Sequence, residues 1–102
     1  MCIYRITKSF PKEEIFGLVN QMRRAASSIT ANIAEGFVRI GKKEKLRFYN
    51  ISQGSLAETR NFLILSRDLD YISEEDYLTM EQKAAEISKM LKSYCQNIIN
   101  SI

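Results

Sequence analysis

Residues 21–36, QMRRAASSITANIAEG, hold no proline and carry apolar side chains at helical spacing. At about 100° per residue, Leu18, Met22, Ala25, Ile29, Ile33 and Gly36 share one sector of a helical wheel, an ordinary buried stripe. Gln21, Arg24, Ser28, Asn32 and Glu35 share a second sector, within about 80° of Arg24. That second face is polar yet mostly small, unlike a solvated face. A helix with two such faces needs partners on both sides.

Few breakers interrupt the rest of the chain. One Pro, four Gly and no Trp in 102 residues, with long periodic segments, imply an all-α fold in one domain spanning 1–102. Helices this long bury enough surface only when at least three pack together. No run of eighteen apolar residues exists, so no membrane span is expected. Residues 1–10 are interrupted by Arg5 and Lys8 and lack a small-residue cleavage site, which argues against a signal peptide. Cys2 and Cys95 then read as free thiols in a cytoplasmic protein. The absence of His removes the commonest general base and metal ligand.

In chain order, residues 1–9 read as the last turns of a helix, ended at Phe10-Pro11. Pro11 followed by Glu13 and Glu14 makes a good start for a helix over about 12–39. Gly17 inside it is either a tolerated weakness or a point of close helix approach. Ile40-Gly41 ends that helix, and a second runs over about 42–69. Its expected stripe is Leu46, Phe48, Tyr49, Ile51, Leu56, Phe62, Leu63, Leu65 and Leu69, beside a patch of small residues from Ser52 to Thr59. A third helix, about 73–101, starts at an N-cap Ser73 with Asp76 three residues on, and Ile72 and Tyr77 fit a hydrophobic staple. Its seam runs Tyr77, Met80, Ala84, Ile87, Leu91, Tyr94, Ile98 and Ser101.

Short turns make consecutive helices antiparallel. Turning near Gly41 sets Arg24 level with Glu58, and Glu35 level with Arg47. The polar face is therefore expected to lock the first two long helices by paired charges, with Ser28, Asn32 and Ser55 between them, or to serve as a surface between protomers. Each carboxylate having a cation at its level speaks against a catalytic Glu35–Glu58 pair.

Charge is uneven. Residues 1–50 hold ten Lys or Arg against four Asp or Glu, and residues 51–102 hold five against eight, so the halves carry +6 and −3. Arg39, Lys42, Lys43, Lys45 and Arg47 cluster at the first turn. Arg39 suits a helix C-terminus, but Lys42 and Lys43 oppose the dipole of the helix they begin. Such a cluster is either a solvated turn or a basic rim for phosphate backbones. Tyr49, Phe62, Tyr77 and Tyr94 are expected in the core, leaving no aromatic stacking platform, and Cys95 is expected to be a buried small hydrophobe. Neither a metal site, nor a Gly-rich phosphate loop, nor a nucleophile–base arrangement is visible, so neither cofactor nor enzymatic activity is expected.

The stretches FPKEEIFGL, QMRRAASSITANIAEGF, KKEKLRFYNISQGSLAET and LDYISEEDY together resemble the four-helix-bundle proteins of the 23S ribosomal RNA intervening-sequence family. The resemblance covers the chain from Phe10 onward. It implies an antiparallel up-down bundle, assembly into a homo-pentameric ring, and kinship with the accessory protein of diversity-generating retroelements. That basic pentamer binds nucleic acid and a nucleic-acid-processing protein, a reverse transcriptase. Two departures stand out. Only the end of a first helix, CIYRITKSF, is present, and Thr30 stands where the family often has Pro. The bundle type is thus three full helices plus a stub, with an apolar groove left along the first and third. A neighbouring protomer fills that groove, or the start of the chain is shortened.

Overall fold

The structure, a computed structural model, describes residues 3–101, the side chains of Ile15 and Phe16 excepted. Cys2 lies outside the described residues. A short helix α1, Ile3–Thr7, precedes three long ones: α2 Asn20–Val38, α3 Lys42–Asp68 and α4 Glu74–Asn100. The long helices run antiparallel through short turns, in a body 47 × 24 × 16 Å, and no strand occurs among the described residues. The all-α bundle expected from the sequence is therefore present.

The start of the first long helix differs from expectation. Lys12–Glu14 forms a 3₁₀ turn and Ile15–Val19 a π turn before regular α-helix begins at Asn20. A π turn takes in one extra residue and rotates what precedes it. Adjacent Leu18 and Val19 are both buried. Nothing lies within 4 Å of where a Cβ on Gly17 would stand, so this glycine marks no close approach.

The turn between α3 and α4 is built as expected. Ser73 Oγ accepts from the Asp76 N–H at 3.0 Å, and Ile72 and Tyr77 are both buried. Asp70 adopts a left-handed φ of 60°, while the Tyr71 N–H reaches back to the Ser66 carbonyl at 2.9 Å. That pattern closes the end of α3 in the manner of a Schellman motif.

The face of α3 that enters the core is not the one its hydropathy marks. Phe48 is only partly buried, and Ile51, Leu65 and Leu69 are exposed, whereas Ser52, Thr59 and Ser66 are completely buried. The buried face alternates large and small at a spacing of seven: Tyr49, Leu56 and Leu63 against Ser52, Thr59 and Ser66. Each hydroxyl is satisfied. Thr59 donates to the Ser55 carbonyl and Ser66 to the Phe62 carbonyl, both four residues back, at 2.8 Å. Ser52 instead donates across to the Ile29 carbonyl of α2, also at 2.8 Å. Burying a hydrogen-bonded hydroxyl costs little, and its small volume lets two backbones approach.

A side chain of α3 also packs directly over the α2 backbone at Gly36. A Cβ there would stand 2.5 Å from Cε1 of the Tyr49 ring. The core itself is thickest near the α3–α4 turn, where Ile3, Phe10, Val19, Met22, Leu63 and Met80 meet. Toward the other end it thins to Ile29, Leu56 and Ala84, then Tyr49, Leu91 and Cys95. Burial pushes the Cys95 thiol up, partly offset by a hydrogen bond from Gln53, so it stays protonated near neutral pH.

Gly36→Ala should therefore destabilise the protein. Alanine gains up to ~1 kcal/mol of helix propensity over glycine, but overpacking a seam of this kind costs about 1–3 kcal/mol. Urea unfolding should show a lower midpoint at unchanged slope; a raised midpoint would mean that the Tyr49 ring does not hold its place.

Candidate nucleic-acid interface

The five cations expected to form a basic cluster do lie at one end of the molecule, but the structure divides them by role. Lys45 Nζ donates to the carbonyls of Gly36 and Phe37, at 3.1 and 2.9 Å, in the last turn of α2. Lys42 Nζ donates to the Ser101 carbonyl at the end of α4, at 2.6 Å. Both lysines oppose the dipole of their own helix, α3, yet each serves the negative C-terminal end of an antiparallel neighbour. Their place at the start of α3 is thus explained by α2 and α4.

Arg39 pairs with Glu35 at 2.5 Å, and Arg47 with Glu44 at 3.3 Å, both along their own helices or just past the end. The guanidinium carbons of Arg39 and Arg47 also stand 4.9 and 4.6 Å from the centre of the Phe48 ring. Phe37 lies nearby, 77% exposed, with Lys45 Nζ 5.9 Å from its centre. Lys43 is exposed. Aromatic rings therefore accompany the cations at this end, contrary to the sequence-based expectation. The signal was local: Phe37 sits within the last turn of α2 and Phe48 directly follows Arg47.

Charge is distributed differently at the two ends of the molecule. The opposite end carries Asp68, Asp70, Glu74, Glu75 and Asp76 around the α3–α4 turn, interspersed with Arg67, which pairs with Asp68 and Glu74, and with Arg5 and Lys83 beside Asp76. Glu13 and Glu14 join these carboxylates, close enough to help raise the Tyr71 phenol pKa, after burial as the main cause.

The polar face of α2 is partly as expected. Ser55 Oγ donates to Ser28 Oγ at 2.8 Å, and Asn32 Nδ2 donates to Ser28 Oγ at 3.0 Å and to the Ser28 carbonyl at 2.8 Å. The charged pairs do not form. Arg24 and Glu58 are exposed and take no part in the ion pairs among the described residues, while Glu35 and Arg47 pair with other partners. Helix levels are correct, since Ser28 meets Ser55 and Ile29 meets Ser52. The azimuth is not: Arg24 lies at the edge of the contact face, where its long stem carries the charge to water. The cross-helix ion pair is instead Arg60 with Glu81, joining α3 to α4, with Arg60 Nε 3.1 Å from Glu81 Oε1.

A groove of about 510 Å³ opens between α2 and α4, lined by Thr30, Ile33, Ala34, Phe37 and Val38 on one side and Met90 and Tyr94 on the other, with Tyr49 beneath. Tyr94, expected in the core, is 42% exposed along it. The stub α1 lies beyond the upper end of this groove, where Ile3 and Tyr4 border a smaller cavity with Ala26, Ile29, Thr30 and Ile87. Among the described residues, no three His, Cys, Asp or Glu side chains are placed to hold a metal ion, and no helix is long and apolar enough to cross a membrane.

Three long antiparallel helices, a capping fourth and a hydroxyl-lined seam define an up-down helical bundle. The chain belongs to the 23S rRNA-intervening sequence protein family, whose model matches residues 1–93. It is similar to a solved protein of unknown function from the S23 ribosomal protein family of Bacteroides thetaiotaomicron, at 28% identity and a TM-score of 0.84, over 92% of this chain and 85% of that one. A comparison with curated proteins found no match.

The two charge arrangements separate by mutation. Arg24→Ala should change stability by less than about 0.5 kcal/mol, whereas Arg60→Ala, which strands a half-buried Glu81, should cost about 1 kcal/mol or more. Equal effects in chemical unfolding would contradict this assignment of the interhelical ion pair.

Proposed function

We propose that this chain is a non-enzymatic, homo-oligomeric bundle protein of the cytoplasm that binds RNA or DNA through the basic end of the α2–α3 turn. The observation that carries the reading is the gathering of five cations at the α2–α3 end. Arg39, Lys42, Lys43, Lys45 and Arg47 gather at one end against Glu35 and Glu44, and the carboxylates of the α3–α4 turn lie at the other. Lys89 and Lys92 add positive charge on the C-terminal half of α4. Such a distribution orients the molecule toward a phosphate backbone, which it reads by charge rather than by sequence. No catalytic residue and no cofactor belong to this reading.

Self-association supports it. An uncovered apolar groove flanked by exposed Phe37 and Val38 is a surface that proteins ordinarily bury. A second copy filling it would make the oligomer, and the family resemblance implies a pentamer. In a ring the basic ends of several protomers would be displayed together, multiplying weak phosphate contacts. The same groove favours a second reading, a protein-interaction scaffold or accessory subunit of a nucleic-acid-processing protein without nucleic-acid affinity of its own. Capture of that partner after nuclease treatment, with no direct binding of RNA or DNA, would select the scaffold.

A salt titration of nucleic-acid affinity tests the first reading. Binding should weaken steeply with salt, and Lys42→Gln with Lys43→Gln should lower the slope of log affinity against log salt by about one to two. No binding at low salt, or an unchanged slope, would refute it.

A further inference from the structure

The basic end holds more than charge, and we propose that it is built for unpaired bases: it takes single-stranded nucleic acid in preference to duplex, stacking a base on the guanidinium faces that pack around Phe48. This rests on the nucleic-acid reading above and names its ligand. Two guanidinium groups converge on one ring, with Arg39 and Arg47 at 4.9 and 4.6 Å from the Phe48 centroid. Each is also tethered by a carboxylate, Glu35 for the first and Glu44 for the second. Both planes are therefore held in place while remaining about half exposed, at 44% and 59% of their side-chain surface. A planar, weakly hydrated cation fixed in this way offers a stacking face at little cost in side-chain entropy.

Ordinary roles do not account for the arrangement. Capping of the helix ends at this pole is already done by Lys42 and Lys45, so the two arginines are not needed for it. A surface meant only for phosphate needs cations and no rings. A ring with two guanidinium groups beside it and a nearby exposed cation is what sequence-tolerant binding of a single strand requires: stacking surfaces for bases and charge for the backbone between them. Lys43, exposed on the first turn of α3, supplies such a charge. A duplex keeps its base faces stacked on one another and could use only the charges.

The test measures affinity by fluorescence anisotropy, at one low salt concentration, for a labelled unstructured strand and a duplex of equal length, about twenty nucleotides each. The single strand should bind tighter. Phe48→Leu, which keeps apolar bulk but removes the ring, should weaken single-strand binding by about fivefold or more, leave duplex binding unchanged, and be rescued by Phe48→Tyr. Since Phe48 is partly buried, a 2-aminopurine base in the strand gives an independent reading in the unmutated protein: stacking should change its fluorescence on binding. Equal or tighter duplex binding, an equal loss for both ligands in Phe48→Leu, or unchanged 2-aminopurine fluorescence in a bound strand would overturn the proposal while leaving phosphate binding intact. Failure of both ligands to bind would overturn the nucleic-acid reading itself, and this inference with it.

Discussion

Close contact between α2 and α3 governs the architecture. It depends on residues that contribute little hydrophobic area: Gly36, over which the Tyr49 ring lies, and Ser52, whose hydroxyl bonds the Ile29 carbonyl. Because α3 approaches α2 so nearly, its large residues Tyr49, Leu56 and Leu63 fill the space between α2 and α4, and α3 becomes the helix on which both others pack. The consequence is asymmetry. α2 and α4 each approach α3 more closely than one another, and a groove between their outer faces stays open from Thr30 to Val38 and from Met90 to Tyr94.

The antiparallel arrangement also explains the charge at the α2–α3 end. Two helix C-termini and one helix N-terminus meet there. Lysines from the N-terminal turns of α3 satisfy carbonyls at the ends of α2 and α4, so the same residues that join the helix ends create a local excess of positive charge. The structural role of these lysines is compatible with the phosphate contacts proposed for this end. The arginines and phenylalanines extend the joined helix ends outward, while the carboxylates stay mostly at the far end.

Much of this was legible in the sequence. The three long helices, the Ser73 cap, the apolar face of α2, the levels at which helices meet and the uncovered groove all follow from period, caps and short turns. The buried face of α3 did not, because hydropathy scores a serine as polar even where its hydroxyl is satisfied by a carbonyl four residues back, as for Ser66. The Arg24–Glu58 pairing failed for a different reason. Turn symmetry determines height along a bundle but not rotation about each helix, and a rotation of one residue's width moves a long side chain from seam to solvent. The π turn over Ile15–Val19 leaves no reliable mark in composition. At the candidate interface, the cations were visible as a cluster; their division into helix-capping lysines and ring-stacked arginines depended on which helix ends met in space.

The open apolar groove along two helices is what links the fold to the proposed self-association, since burying such a face stabilises a small bundle. The direct measurement is the mass of the protein in solution by light scattering, followed over about a hundredfold range of concentration. The account predicts a whole multiple of the 11.8 kDa chain mass that persists on dilution. A species of 11.8 kDa throughout would contradict it.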